Sequence, residues 1–92
     1  GDTLGAIEDH SRAIELDPRY ADAYYHRGLA RQNQGDLPGA IEDYSRAIAI
    51  EPRLALARYN RGLARRAQGD TSGAIEDWTR AIELDPRYAS AL

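Results

Sequence analysis

The sequence repeats itself with a period of 34 residues, and this period restricts the possible folds more than any other feature. The pentapeptide GAIED occurs three times, beginning at residues 5, 39 and 73. Pro18, Pro52 and Pro86 are spaced by the same interval. A catalytic site needs one asymmetric cluster of groups and gives no reason to copy a pentapeptide. A constant period of this length is typical of structural units that stack on their neighbours along the chain.

Within each unit the apolar residues recur at helical spacing. Steps of three and four residues separate Ala40, Ile41, Tyr44, Ala47 and Ile48. Asp36 stands at an N-cap position, and Pro38 is tolerated in the first turn, where its missing N–H would have no helical partner. Gly35 follows the preceding helical segment and accepts the left-handed backbone that often ends helices. Each unit is therefore predicted to be two antiparallel helices, A and then B, joined by a Gly-Asp turn.

The period also predicts where the helices lie. We predict a B helix at 3–17, an A helix at 20–34, a B helix at 37–50, an A helix at 54–68, a B helix at 71–84 and the truncated start of an A helix at 87–92. The predicted organisation is one array over 1–92, with a leading half repeat at 1–20, full repeats at 21–54 and 55–88, and the start of a further A helix at 89–92. Because the chain opens in the middle of a unit, we expect it to be a piece of a longer array.

The unit resembles the tetratricopeptide repeat, in an array of bacterial type, over essentially the whole chain. The signature positions are Gly28 and Gly62 in the A helices, Ala40, Ala47, Ala74 and Ala81 in the B helices, Pro52 and Pro86 at the exits, and Ala6, Ala13 and Pro18 in the leading half unit. Small residues at these positions let helix axes approach closely, whereas larger ones would separate them. The resemblance implies an all-α fold, a right-handed α-solenoid of antiparallel helix pairs, that serves as a non-catalytic scaffold for a protein or peptide partner.

Composition argues against several classes of site. The chain has no cysteine, which excludes disulfides, thiolate zinc sites and thiol catalysis. Its formal net charge of -3 argues against nucleic acid as a partner, because phosphate binding needs a surplus of basic residues. No apolar run approaches the roughly 20 residues of a membrane span. We expect a protein without enzymatic activity, metal or cofactor that binds neither nucleic acid nor membrane. The sequence does not define the compartment, and the cytoplasm is our expectation.

Charged residues also follow the period. The pairs Glu8-Asp9, Glu42-Asp43 and Glu76-Asp77 would suggest acid–base chemistry in one copy, but three copies favour a structural or solvated role. Arg27 and Arg31, repeated as Arg61 and Arg65, depart from the family, which usually has apolar or aromatic residues there. Arginines at i and i+4 repel unless they are neutralised. We predict that they pair with Asp9, Asp43 and Asp77 on neighbouring B helices, and the alternative is that they face a ligand.

The two histidines are weak candidates for metal chemistry. His26 lies four residues after Asp22, which places both on one helix face, but a zinc site needs three or four ligands and no third is evident. His10 occupies the position of Tyr44 and Trp78 in the other units. We therefore interpret His10 as a substitute aromatic residue that packs between helices.

The resemblance also implies where a partner binds, because recognition in tetratricopeptide proteins lies in a concave groove lined by A helices. Carried over by position, that groove would comprise Asp22, Tyr25, His26, Leu29, Gln32 and Asn33 on one A helix and Leu56, Tyr59, Asn60, Leu63, Arg66 and Ala67 on the next. The alternative for Tyr25 and Tyr59 is packing between A helices. The family's clamp for carboxyl-terminal peptides uses Lys and Asn at set groove positions. This chain contains no lysine, so we do not predict that clamp here.

The chain termini suggest a second function. The first B helix has no A helix before it, so Ala6, Ile7, His10 and Ile14 are expected to be partly uncovered. Terminal units of a repeat array normally need polar capping faces. The alternative function is therefore a structural module that forms homo-oligomers, either by stacking end to end or by exchanging terminal helices.

Overall fold

The computed structural model describes residues 3–91, which contain five α-helices, a short 3-10 helix and no strand. The α-helices are α1 (Thr3–Leu16), α2 (Ala21–Asn33), α3 (Leu37–Ile50), α4 (Ala55–Ala67) and α5 (Thr71–Leu84). Helices α1, α3 and α5 are the predicted B helices, and α2 and α4 are the predicted A helices. Each helix packs on the next one in the chain. The prediction of an all-α stack of antiparallel helices is confirmed.

Both turns between an A helix and the following B helix use the same residues. Gly35 and Gly69 have φ angles of 83° and 88°, in the left-handed region that glycine adopts without a steric penalty. The next residue begins the B helix: the Asp36 carboxylate accepts a hydrogen bond from the Gly39 amide at 3.0 Å, and Asp70 accepts one from the Gly73 amide at 2.9 Å. The Gly-Asp pair therefore ends one helix and starts the next.

We expect Asp36→Ala to lower the free energy of unfolding by about 1 kcal/mol, because the Gly39 amide would lose its side-chain acceptor. Urea denaturation followed by far-UV circular dichroism measures this loss. Asp36→Asn keeps an oxygen acceptor at the same place and should change the stability by only a few tenths of a kcal/mol. Equal losses in the two variants would show that the cap hydrogen bond is not the cause.

The core alternates between very small and aromatic residues. Ala40, Ala47 and Tyr44 on α3 are fully buried, and Trp78 on α5 is 6% exposed. The aromatic rings of α3 and α5 lie against the glycines of α2 and α4: a Cβ on Gly28 would stand 2.7 Å from Cε1 of Tyr44. Small residues thus allow the two helices of a unit to approach, and one large ring fills the space between them.

The end of the described chain differs from the prediction. Residues Pro86–Ala91 form a 3-10 helix, not the start of an α-helix. A six-residue segment closes few i→i+4 hydrogen bonds, so the cost of starting an α-helix is not recovered, and the tighter 3-10 form is common in such short pieces. The prediction was wrong in helix type, and Leu92 lies outside the described residues.

Candidate interaction surface

The two A helices lie side by side. The side-chain amide of Asn60 on α4 donates a hydrogen bond to the hydroxyl of Tyr25 on α2 at 3.0 Å, across 35 positions of sequence. The same amide donates to the Leu56 carbonyl at 3.0 Å, which fixes its direction. This hydrogen bond joins the two A helices directly.

We call the residues that the sequence analysis assigned to the groove the A-helix surface. Its members differ in exposure: Asp22, His26, Asn33, Leu56, Arg66 and Ala67 are exposed, Leu29, Gln32, Tyr59, Asn60 and Leu63 are half-buried, and Tyr25 is buried. The exposed and half-buried members are available to a partner to different degrees, and Tyr25 lies beneath them.

The two tyrosines of the A-helix surface are not equivalent. The Tyr25 ring packs against the rings of His26 and Tyr44, with centroid distances of 5.2 Å and 5.9 Å. Burial raises the pKa of the Tyr25 hydroxyl. The Tyr25 ring therefore packs within its own unit, and only its hydroxyl contacts the next A helix, through Asn60. Tyr59 is half-buried, and its ring lies 5.1 Å from that of Tyr88 in the 3-10 helix.

Two polar members of the A-helix surface are held by aromatic residues of the B helices. The Tyr44 hydroxyl donates a hydrogen bond to the Gln32 side chain at 2.6 Å. The Arg66 guanidinium lies 5.4 Å from the centre of the Trp78 ring, within the range of a cation–π interaction. The Gln32 amide oxygen thus already accepts one hydrogen bond, whereas the exposed Arg66 guanidinium forms no ion pair within residues 3–91.

A cleft of about 260 Å³ adjoins the A-helix surface. Its lining comprises Thr3, Ala6, His10, His26, Leu29, Ala30 and Asn33. The rings of His10 on α1 and His26 on α2 stack across it, with a centroid distance of 5.4 Å and an interplanar angle of 20°. His10 thus packs as an aromatic residue, but against another histidine. Sequence analysis missed this pair because the next unit has Asn60 at the position of His26, so the contact does not recur with the period.

The repeated arginines pair with the repeated aspartates. Arg27 donates to both carboxylate oxygens of Asp43, at 2.9 Å and 2.7 Å, and Arg31 donates to the same carboxylate at 3.1 Å. These hydrogen bonds raise the pKa of Arg27. Arg61 and Arg65 contact Asp77 in the same way, at 2.6–3.0 Å. The prediction is confirmed for Asp43 and Asp77, whose carboxylates neutralise both pairs of arginines.

The same arginines also contact the previous B helix. Arg27 donates a third hydrogen bond to the Ser11 hydroxyl on α1 at 3.2 Å, and Arg61 donates one to Ser45 on α3 at 3.1 Å. Each of these side chains therefore links the B helix before it to the B helix after it. Ser11 and Ser45 share the 34-residue period, which is a sequence signal for this contact that the sequence analysis missed.

The predicted pairing of Asp9 was wrong. Its nearest basic partner is Arg12, at 4.0 Å on the same helix, and the Asp9 side chain is 77% exposed. Asp43 and Asp77 pair with arginines of the A helix in their own unit, and no A helix precedes α1 among residues 3–91. Asp9 therefore occupies the same repeat position as the buried Asp43 and Asp77, but its side chain is exposed.

Arg58 on α4 occupies the position that Tyr24 has on α2. Its Nε is buried and has no hydrogen-bond partner within the described part of the chain. Burial lowers the pKa of the Arg58 guanidinium, and the nearby charge of Arg61 lowers it further. Burying this N–H without a hydrogen-bond acceptor is unfavourable, because its hydrogen bonds to water are lost and not replaced.

No group of three or more His, Cys, Asp or Glu side chains in residues 3–91 could hold a metal ion. None of the helices in that part of the chain combines the length and the apolar character needed to cross a bilayer.

Family comparison agrees with the helix pairs, the Gly-Asp turns and the small residues described above. A model described as TPR repeat matches residues 1–35 and 33–69, and a model described as tetratricopeptide repeat matches residues 55–88. The chain belongs to the tetratricopeptide repeat family. No curated protein matched it.

Solved structures of this family are closely similar to the chain. A crystal structure of MamA has a TM-score of 0.90 and 34% identity, covering 98% of this chain and 53% of MamA. The first tetratricopeptide domain of Spaghetti (RPAP3), bound to the HSP90 peptide SRMEEVD, has a TM-score of 0.92 and 27% identity, covering 94% and 68%. The Arabidopsis OM64 domain has a TM-score of 0.90 and 26% identity, covering 92% and 70%. The chain spans about half the length of the MamA chains it matches.

Proposed function

We propose that this tetratricopeptide array is a non-catalytic protein-interaction module that binds a peptide or protein segment along the A-helix surface. The observation that carries the proposal is the alignment of α2 and α4 through the hydrogen bond between Asn60 and Tyr25. This hydrogen bond joins two successive units, which supports a binding surface longer than one helix.

The chemistry of the surface suits an extended polypeptide. Leu56 is 44% exposed, and Leu29 and Leu63 are half-buried, so a partner side chain that covers them removes apolar area from water. Asn33 and Arg66 are exposed at the carboxyl-terminal ends of the two helices, where they can bind backbone carbonyls or an acidic side chain. A few apolar contacts with polar groups beside them are typical of peptide-binding sites.

The structural relatives support a peptide as the partner. The RPAP3 domain holds a short peptide and aligns with 94% of this chain. That peptide ends in acidic and apolar residues, and Arg66 is the exposed cation of the A-helix surface here. Since the chain contains no lysine, we propose a partner that is recognised through leucine contacts, asparagine and one arginine.

We expect Leu56→Ala to weaken binding of a selected peptide about tenfold, because the lost aliphatic contact is comparable to the free energy of one decade in affinity. Peptides would first be selected from a random phage-displayed library against the intact chain. Fluorescence anisotropy with a synthetic copy of the best peptide would then measure the dissociation constant.

Ile75→Ala is the matched control. Ile75 is 48% exposed and lies on α5, a B helix, so the variant loses a similar aliphatic side chain of similar exposure away from the A-helix surface. Both variants should keep their stability within about 0.5 kcal/mol. Equal loss of affinity in the two, or loss only in Ile75→Ala, would contradict the proposed surface.

A further inference from the structure

Helix α4 carries positive charge that its neighbours only partly neutralise. It has no acidic residue, and its arginines are Arg58, Arg61, Arg65 and Arg66. Arg61 and Arg65 share a single carboxylate, that of Asp77. Arg58 forms no ion pair and no side-chain hydrogen bond within residues 3–91. The unit formed by α2 and α3 lacks this additional charge, because Tyr24 stands there at the position of Arg58.

We propose that Arg58 on α4 and Arg80 on α5 together bind a phosphate dianion, either on a phosphorylated side chain of a partner or as the free inorganic ion. Arg58 is not a member of the A-helix surface. At 3.6 residues per turn it lies about 160° around the helix from Leu56 and about 140° from Leu63. The inference therefore concerns a second site and goes beyond the proposed function.

The first step is the hydrogen-bonding state of Arg58. Its side chain is half-buried, and its Nε is covered without an acceptor, which is unfavourable. Nε and one of the terminal nitrogens form the flat edge of the guanidinium, which binds two oxygens of an oxyanion side by side. A small rotation of the side chain turns this edge outward. An oxyanion then supplies the acceptor that the protein does not.

The second step is the nearby positive charge. Burial lowers the pKa of the Arg58 guanidinium, and the charges of Arg61 and Arg80 lower it further, so these three groups are near one another. Arg80 contacts Glu83 at 3.5 Å, between side chains that are 50% and 57% exposed. A surface pair of this kind contributes little to stability. Arg80 can therefore turn to a bound anion with little loss.

The third step is the choice of anion. Asp77 brings one negative charge to two arginines and already accepts three hydrogen bonds from them. It therefore cannot also neutralise Arg58. A carboxylate would add one negative charge and two oxygens, whereas a phosphate monoester adds nearly two charges and three acceptor oxygens. Two unneutralised arginines on neighbouring helices match the dianion better, because one oxygen pair can bind Arg58 while the third oxygen binds Arg80.

The test titrates inorganic phosphate into the intact, isotope-labelled chain and follows the side-chain Nε–H signals of the arginines by NMR. The pH is kept above the second pKa of phosphate, which is about 6, so that the dianion predominates. Sodium chloride holds the ionic strength constant, which removes the general effect of screening. We expect the signals of Arg58 and Arg80 to shift together and to saturate.

A second titration with a phosphoserine-containing tripeptide distinguishes the two sources of phosphate. Tighter binding than that of inorganic phosphate assigns the site to a phosphorylated side chain of a partner. Weaker binding assigns it to the free ion. Both results agree with the proposed site, whereas the absence of saturable binding by either probe overturns it.

Two substitutions identify the residues that bind. Arg58→Tyr introduces the residue of the preceding unit and should weaken phosphate binding at least tenfold, because charge-assisted hydrogen bonds are lost. Arg80→Gln should also weaken binding, and it changes an exposed side chain, so it tests the site even if Arg58→Tyr does not fold. Arg46→Gln is the matched control: Arg46 has the repeat position of Arg80 on α3 and is 60% exposed, but Tyr24 is its counterpart to Arg58. This control should bind phosphate as the wild type does.

Two further results would overturn the inference. Unchanged phosphate binding in Arg58→Tyr would show that the unpaired guanidinium is not the site. Equal losses in Arg46→Gln and Arg80→Gln would show general attraction to surface arginines. Neither result affects the A-helix surface, whose test is Leu56→Ala with a selected peptide, so either proposal can fail alone.

Discussion

Asp43→Ala is expected to lower the free energy of unfolding by about 3–5 kcal/mol, because it leaves buried charges without their partner. Asp43 is fully buried and binds two arginines whose side chains are only 15% and 26% exposed. Without the carboxylate, Arg27 and Arg31 would repel each other one helical turn apart. The loss is measured by urea denaturation followed by circular dichroism, with an osmolyte added to both proteins if the variant is partly unfolded in buffer.

Asp9→Ala provides the control for this prediction within the same chain. It removes the same side chain at the same position of the repeat, but from a place that is 77% exposed. We expect its stability to remain within about 0.5 kcal/mol of the wild type. If Asp9→Ala and Asp43→Ala were equally destabilising, intrinsic helix effects and not the buried ion pairs would explain the loss.

Gly62→Leu is expected to lower the free energy of unfolding by about 2–3 kcal/mol through overpacking. A Cβ at Gly62 would lie 2.5 Å from Nε1 and 2.8 Å from Cδ1 of Trp78, which is 6% exposed. The indole cannot withdraw freely, since its N–H donates to the Tyr59 carbonyl at 3.2 Å. An unchanged urea midpoint would contradict this account.

The smaller substitution Gly62→Ala tests the same contact through the sign of its effect on the free energy of unfolding. Glycine in the middle of a helix normally costs about 1 kcal/mol relative to alanine, so Gly→Ala usually stabilises. At Gly62 we expect the opposite sign while Trp78 is present. In a Trp78→Leu background the steric conflict is relieved, and Gly62→Ala should become neutral or stabilising. Additive effects of the two substitutions would show that the ring and the glycine do not interact.

The sequence alone predicted the features that every unit shares. The period located the five α-helices, because caps, turn glycines and apolar spacing recur together in each copy. It also predicted that the arginines pair with aspartates, since same-sign charges one turn apart need a partner. It erred at Asp9, where the position in the repeat is regular but the covering helix is missing from the described residues.

Features that depend on a particular neighbour could not be predicted in this way. Tyr25 and Tyr59 are identical in the repeat, yet Tyr25 is buried beside Asn60 and Tyr59 is half-buried beside Tyr88. Periodicity treats them alike, whereas burial is decided by the next helix along the array. The stacking of His10 on His26 was not predicted either. The other units have different residue types at these two positions, so the period gives no sign of the contact.

The bridge from Ser11 through Arg27 to Asp43, and its copy from Ser45 through Arg61 to Asp77, has a consequence for how such proteins evolve. Each 34-residue segment carries a hydroxyl that accepts a hydrogen bond from the next segment. It also carries an arginine that donates one to the segment before it. When a whole segment is duplicated or deleted, the new neighbours therefore still have a matching donor and acceptor, and no compensating mutation is needed. Thr79 on α5, exposed and at the position of Ser11 and Ser45, keeps a hydroxyl at this place in the third copy.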